Sequence, residues 1–451
     1  MPLGRNFIGA IALFLTIAAA APVQAQKVPI VRDAEIERLL FEYAKPLLAA
    51  AGIKGITEIV LINDPSFNAF VNGRSIYINT GTIMTSATPN EVIGVLAHEI
   101  GHLAGGHQER LRQKLEAAGR MATIAGIVGM GAAVAGAASG NGEAAQLGTG
   151  LAAGSAEAAR RSILSYQRTE EITADRSAVT YLNKTGQSAR GMLATFQRFQ
   201  TSLALSGARV DPYKISHPLP RERIANLENL AQQSPHFGKT DPAGLQARHD
   251  MARAKVAAYS GNINTVRRLF RGQPDNIGLR YGEAFSAYLQ GSSKDALKKF
   301  DALAKQMPKN GYIEEIRGEI LLKANRPADA SKAFRNALKL DPGKGTTIQV
   351  GLGQSLLLAG DTDGAIRELG EALRRDKSNA LGYQYLARAY ALSGREPDAQ
   401  LATAQMYFYN GATNDARIFA ARAQKGFKKG SPGWLRAEDI IKAGAKPAKK
   451  G

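Results

Sequence analysis

The sequence predicts a mainly α chain in two parts: a helical domain holding a small antiparallel β-sheet, then an α-solenoid. Three observations carry this reading. Apolar residues recur at helical spacing along most of the chain. Three short β-branched or aromatic runs, punctuated by Asn, Gly and Pro, cluster between residues 58 and 81. In the C-terminal half, small residues recur every 34 or 35 positions. With 451 residues and 44% apolar content, the chain has room for two or three domains with real cores.

Residues 1–25 read as a leader rather than as fold. Arg5 is the basic end, "FIGAIALFLTIAAAA" the apolar run and "VQA" a small-residue cleavage site. The run is shorter than the roughly 20 residues a membrane span needs. There is no cysteine, which excludes disulfides and a lipid-bearing cysteine after the leader. The expected compartment is the periplasm, with membrane association left open. The net charge of +19 is spread along the chain and reads as a basic surface, with no nucleic-acid partner.

Residues 30–52 place Ile36, Leu39, Leu40, Tyr43, Leu47 and Leu48 at helical spacing. The strands follow as "EIVLIND" (58–64), "FNAFVNG" (67–73) and "RSIYINTG" (74–81), with an Asn-Gly turn between the last two. "TPNE" (88–91) is a capping box, with Thr88 as N-cap, Pro89 in the first turn and Glu91 reaching back. It opens a helix that Gly105 and Gly106 stop. Residues 121–138 carry no charge and are rich in Ala and Gly. They read either as a hairpin touching a membrane peripherally or as a mobile or closely packed segment of small residues. Helices are expected over 165–185 and 188–206, and a Pro-punctuated loop leads into another over 216–231.

From about residue 245 the pattern is helix–turn–helix. Ala296, Ala330, Ala365 and Ala399 are 34, 35 and 34 positions apart, with small residues at Gly318, Gly353 and Ala387 in the preceding helices and Pro308 and Pro342 at repeat ends. That is the tetratricopeptide period, and such repeats stack into a solenoid with a concave binding face. The expected divisions are 1–25, 26–240, 241–441 and a disordered basic tail at 442–451.

The chemistry lies in "EVIGVLAHEIGHLAGGH" (91–107), an apolar helix carrying titratable groups. His98 and His102 are four apart and share one face, so both imidazoles can hold one zinc ion. Glu99 is offset around the helix. It suits a general base acting on water activated by that ion. A third ligand is needed, and "TEEITAD" offers Glu170, Glu171 and Asp175. Glu171 and Asp175 share a face, which suits one as ligand and the other as hydrogen-bond partner of a ligand histidine. The same spacing also fits a solvated acidic turn. Glu170 points about 100° away on a helix. His107 reads as structural, and His236 and His249 carry no usable pattern.

"HEIGH", then "EITAD", then "HPLPRERI" resembles the zinc metallopeptidase family that includes CAAX prenyl proteases and HtpX. With the leader and the repeats, the resemblance is to its BepA-like branch of periplasmic chaperone-like proteases. It implies a zincin-like helical domain, one zinc ion per chain held by His98, His102 and Glu171, Glu99 as base, and Asp175 behind the ligands. It also implies protein substrates, and outer-membrane assembly machinery as a partner of the repeats. "NAFVNGRSIYINTG" resembles the strand segment that forms the substrate-binding edge. His217 and Arg223 fall on the family's pattern. His217 is expected either to donate to the oxyanion or to cap the ion, and Arg223 to bond substrate backbone or an acidic partner. A binding-protein reading stands beside the enzyme: a chaperone or scaffold with a latent metal site.

Overall fold

The computed structural model describes residues 29–55, 57–138, 142–206, 217, 221–341, 343 and 345–443, without side chains for parts of 122–160, 202–206 and 221. The expected leader lies outside the described residues, as does the tail from residue 444.

β1 (Ile30–Val31) precedes α1 (Ala34–Ala50). Helix was expected from residue 30. It starts later because Asp33 caps it, its Oδ1 accepting from the Ile36 N–H at 2.9 Å. Ile30 and Val31 are thereby freed to pair with β2 (Ile59–Ile62). β3 (Ala69–Asn72) and β4 (Ser75–Asn79) form a hairpin closed at Asn72–Gly73, with Gly73 left-handed at φ 60°. The sheet order is β1-β2-β4-β3, and β2 runs parallel to β4, Ile59 opposite Ile76. The sheet is therefore mixed, a correction to the antiparallel expectation. β4 carries Ile76 and Ile78, both fully buried, and takes the central place. β3 is left with an open edge.

After the short α2 (Thr80–Thr85) comes α3 (Pro89–Gly105), which runs through the centre of the first core. Thr88 accepts from the Glu91 N–H, and Glu91 reaches back to the Ala87 N–H at 3.1 Å, one residue earlier than a standard capping box. Gly106, at φ 63°, ends the helix and turns the chain into α4 (His107–Ala138). α4 packs along α5 (Gly142–Lys184), a helix much longer than the expected 165–185 because its Ala-rich first half also stays helical. Met121, Ile124 and Val128 of α4 are exposed. Among the described residues no helix is long and apolar enough to cross a membrane. α6 (Arg190–Ser206) and α7 (Arg221–Gln232) complete this part.

Two glycines set how closely α3 is gripped. A Cβ on Gly94 would sit 2.7 Å from Met192 of α6, and one on Gly101 would sit 2.8 Å from the Ala174 carbonyl oxygen of α5. No side chain fits at either place without moving backbone.

α8 (Ala243–Tyr259) opens the solenoid, which continues through α9 (Ile263–Leu269), α10 (Ile277–Leu289), α11 (Ser293–Gln306), α12 (Gly311–Lys323), α13 (Pro327–Leu340), α14 (Thr346–Leu358), α15 (Thr362–Arg375), α16 (Ala380–Leu392), α17 (Glu396–Tyr409), α18 (Thr413–Gly426) and α19 (Pro432–Ala443). The register residues Ala296, Ala330, Ala365 and Ala399 are all buried. α19 extends two residues into the expected tail. α8 is also the seam with the first part: Arg248 Nη1 lies 2.6 Å from Glu42 Oε2. His249, fully buried, sits between the Tyr43 hydroxyl (3.2 Å) and the Ser86 carbonyl (3.0 Å). Burial pulls it down to about 4, so it is a neutral core histidine.

Replacing Gly101 by Val is expected to cost about 1–3 kcal/mol by overpacking, read as a lower urea midpoint. An unchanged midpoint would mean that the α3–α5 contact is not tight in solution.

Candidate metal centre

α3 presents His98 and His102 one turn apart, with their Nε2 atoms 3.0 Å from each other. α5 passes at the Gly101–Ala174 contact and presents Glu171. Its Oε2 is 3.3 Å from His98 Nε2 and its Oε1 is 3.3 Å from His102 Nε2. His217 brings Nδ1 to 3.3 Å from His98 Nε2 and 3.1 Å from Glu171 Oε1. Each of these four side chains offers one atom, and all four atoms lie within 4.8 Å of one another. Ligands held about 2.0–2.1 Å from a tetrahedral centre stand about 3.3 Å apart. The donor set and its spacing therefore fit a small divalent cation with nitrogen and oxygen ligands.

The residues behind the cluster are equally ordered. Asp175 Oδ1 lies 2.9 Å from His98 Nδ1, which leaves Nε2 facing the centre. Arg223, 2% exposed, forks Asp175 through Nε (2.6 Å) and Nη2 (2.8 Å) and reaches Glu171 Oε2 through Nη1 (2.6 Å). Of the two expectations for Arg223, the acidic partner is the one present. Its guanidinium pairs with both of these buried carboxylates.

Burial works on every group here. It would raise Asp175, but the Arg223 guanidinium holds that carboxyl below its usual range. It would raise Glu171 too, but His217, His102 and His98 hold it well below. Burial drives His102 down to about 3, which keeps its lone pair free. It also disfavours charge on His98, yet Asp175 and Glu171 outweigh it and lift that ring to about 9. A cation among these nitrogens would replace that proton.

Residues 31–231 match Peptidase family M48, and residues 281–345 and 317–380 match the tetratricopeptide repeat. The chain is a metalloprotease with a Peptidase family M48 domain followed by tetratricopeptide repeats. It is similar to the beta-barrel assembly-enhancing protease of Escherichia coli (strain K12), 25% identical over 416 residues, which cover 89% of this chain and 82% of that protein. The protein of that name in Yersinia pestis is 22% identical over 412 residues, with the same shares. Metalloprotease YcaL of Escherichia coli (strain K12) is 28% identical over 172 residues, 38% of this chain and 60% of that one.

In this M48 peptidase Glu99 is 1% exposed, and neither carboxylate oxygen has a hydrogen-bond partner. It borders a cavity of about 170 Å³ shared with Phe70, Val71, His102, Tyr166 and His217. Burial raises its carboxyl, against the pull of His217 and His98. The cavity opens beside β3. The Asn68 carbonyl accepts from the Asn79 N–H, so the next carbonyl, that of Ala69, points to the open edge. His217 Nε2 stands 3.4 Å from it and 3.5 Å from Glu99 Oε1.

Two residues that sequence reasoning set aside belong to this site. His107 Nδ1 lies 2.9 Å from His102 Nδ1, and its Nε2 lies 2.5 Å from Glu170 Oε2. Arg110 Nη2 donates to the same oxygen at 3.0 Å. His102 is thus oriented through a second imidazole. The left-handed turn at Gly106 is what lets His107 reach the back of His102 rather than its front. The available signal was the pair Glu170–Glu171. Adjacent acids on a helix face different ways and can serve two histidines at once.

Arg223→Ala leaves two buried carboxylates uncompensated. It should cost about 3–5 kcal/mol in urea unfolding, and Arg223→Lys should recover only part, because an ammonium cannot fork. His107→Phe and Glu170→Gln should each weaken metal binding about 10–100-fold, read by competition with a chromogenic chelator. Wild-type affinity in both would remove the relay from the site.

Proposed function

We propose that this metallopeptidase is a zinc-dependent endopeptidase of the periplasm, exported through residues 1–25. Its substrates are unfolded or misassembled envelope proteins. The division into 26–240 for catalysis and 241–441 for client or partner binding belongs to the same proposal. So does an outer-membrane assembly machine as partner, an idea supported by the relatives' name. The observation that carries the reading is the convergence of His98, His102 and Glu171 beside the buried Glu99, whose oxygens accept no hydrogen bond.

His98, His102 and Glu171 would hold the ion. When bound, zinc supplies Lewis acidity toward the scissile carbonyl and toward water. Glu99 takes the proton of the attacking water and passes it to the departing amide nitrogen. Its raised carboxyl suits a group that must give the proton back. The substrate adds to the outer edge of β3 as an extended strand, with the Ala69 carbonyl accepting one of its N–H groups. Asp175 and Arg223 keep His98 and Glu171 in place.

His217 admits two readings, donor to the oxyanion or cap on the site. Its position favours the cap. Nδ1 sits with the ligand atoms while Nε2 faces the Ala69 carbonyl, so one side chain covers both the ion position and the substrate edge. A capped site also accommodates the second function, a chaperone or scaffold with a latent centre. Exposed Met121, Ile124 and Val128 support peripheral membrane contact by the α4–α5 hairpin.

Glu99→Gln should retain one zinc per chain and lose roughly 10²–10⁴ in casein cleavage. Cleavage at the wild-type rate would take the base role away from it. His217→Ala should raise cleavage; a fall would make His217 catalytic instead. If the Glu99→Gln variant still suppresses client aggregation fully, the chaperone reading holds for that function.

A further inference from the structure

The seam between the N-terminal segment and the solenoid gathers more carboxyl groups than cations. Lys255 on α8, 1% exposed, places Nζ 2.7 Å from Asp33 Oδ2 and 3.2 Å from Glu35 Oε2. The Tyr281 hydroxyl also donates to Glu35, at 2.7 Å. Glu315 and Glu319, one turn apart on α12, line the same cavity as Lys255. One ammonium therefore faces four carboxylates. Glu319 accepts from the Tyr288 hydroxyl at 3.3 Å. Glu315 is only 5% exposed, and its Oε2 has no hydrogen-bond partner. Burial raises its carboxyl well above the usual range, with Lys255 the main counterweight. A buried carboxylate oxygen left unpaired is costly unless something arrives to satisfy it.

Something has room to arrive. Asp33, Glu315 and Glu319 line a cavity of about 600 Å³ together with Lys255 and Arg32, and the Arg32 guanidinium is already taken by Glu37 and Asp376 at 2.7 Å each. Its walls come from the N-terminal segment and from α8, α12, α14 and the start of α16, with Phe334 of α13 and Tyr409 at the end of α17. Tyr259 and Tyr409 stand on its rim, 55% and 39% exposed. A metal ion does not suit it. Among the described residues, the only group of three or more His, Asp or Glu with ligand atoms within 4.8 Å of one another is the one around His98. An ammonium or guanidinium on an apolar stem does suit it. The head can reach a single carboxyl group while the stem lies against aromatic faces, and the volume of about 600 Å³ has room for several residues of a chain.

We propose that this cavity binds an extended cationic segment of a client polypeptide, with a lysine or arginine side chain paired to Glu315. The inference rests on the proposed client binding by residues 241–441 and does not rest on the metal centre.

The test uses the full chain carrying Glu99→Gln, so that nothing is cleaved. The probes are a fluorescein-labelled Ser/Gly/Ala peptide with two lysines and its twin with norleucine at those positions. Fluorescence anisotropy should show the lysine peptide binding about tenfold tighter than its twin. Adding Glu315→Gln should erase that difference without lowering the thermal midpoint, since an amide fills the same space and costs no more to bury than a carboxyl with an unsatisfied oxygen. Tyr259→Ser, at the exposed rim, should weaken the lysine peptide severalfold. Equal binding of the two peptides overturns the proposal, and so does lysine-peptide affinity unchanged in both variants. A chain ending at Ala443 that gains about tenfold in affinity would make the protein's own basic C-terminal residues the occupant and overturn the client assignment. Any of these failures leaves Glu99-dependent cleavage by the parent protein standing.

Discussion

The site depends on how near α3 lies to α5. Gly101 meets the Ala174 carbonyl where a Cβ would stand only 2.8 Å away. Glu171 and Asp175 flank Ala174 in sequence, and His98 and His102 flank Gly101. The contact therefore brings two imidazoles and two carboxylates face to face inside a core that is otherwise apolar. Such a concentration of charge survives burial only when each member is answered. Arg223 answers both carboxylates at 2.6 Å, and the nitrogens facing the centre await a cation.

The two histidines proposed as metal ligands are held by different means. Asp175 fixes His98 directly, whereas Glu170 fixes His102 through His107. A carboxylate bonded straight to a ring makes that ring more basic. A neutral imidazole in between orients the ring with less charge transfer. The centre thus has one ligand tuned strongly and one tuned weakly. The two acids responsible for tuning come from the same helix, α5, as the carboxylate ligand itself. His98, Glu99 and His102 on α3 and Glu170, Glu171 and Asp175 on α5 therefore depend on one helix–helix contact.

The solenoid is no appendage. α8 shares the Arg248–Glu42 pair, His249 and Lys255 with the peptidase part, so substrate edge and repeat cavity belong to one body. The open edge of β3 and the cavity beside α12 are both suited to extended chain. A protein that must distinguish an unfolded client from a folded one gains from two such places, because only an unfolded segment can reach both.

Much of this was legible in the sequence. The spacing of His98 and His102, the cap at Thr88, the turn at Asn72–Gly73 and the repeat alanines each express a rule that operates within one turn or one repeat. Family likeness extended that reading to Glu171 and Asp175. What sequence left open, or placed wrongly, depends on segments far apart in the chain. The parallel pairing of β2 with β4 reflects which strand buries best. Arg223 turns inward because two buried carboxylates need it. His107 counts because a left-handed glycine aims it, and Glu315 is orphaned because three helices and the N-terminus crowd around one lysine. Local chemistry is encoded by neighbours in sequence, whereas compensation of buried charge is decided only when distant elements meet.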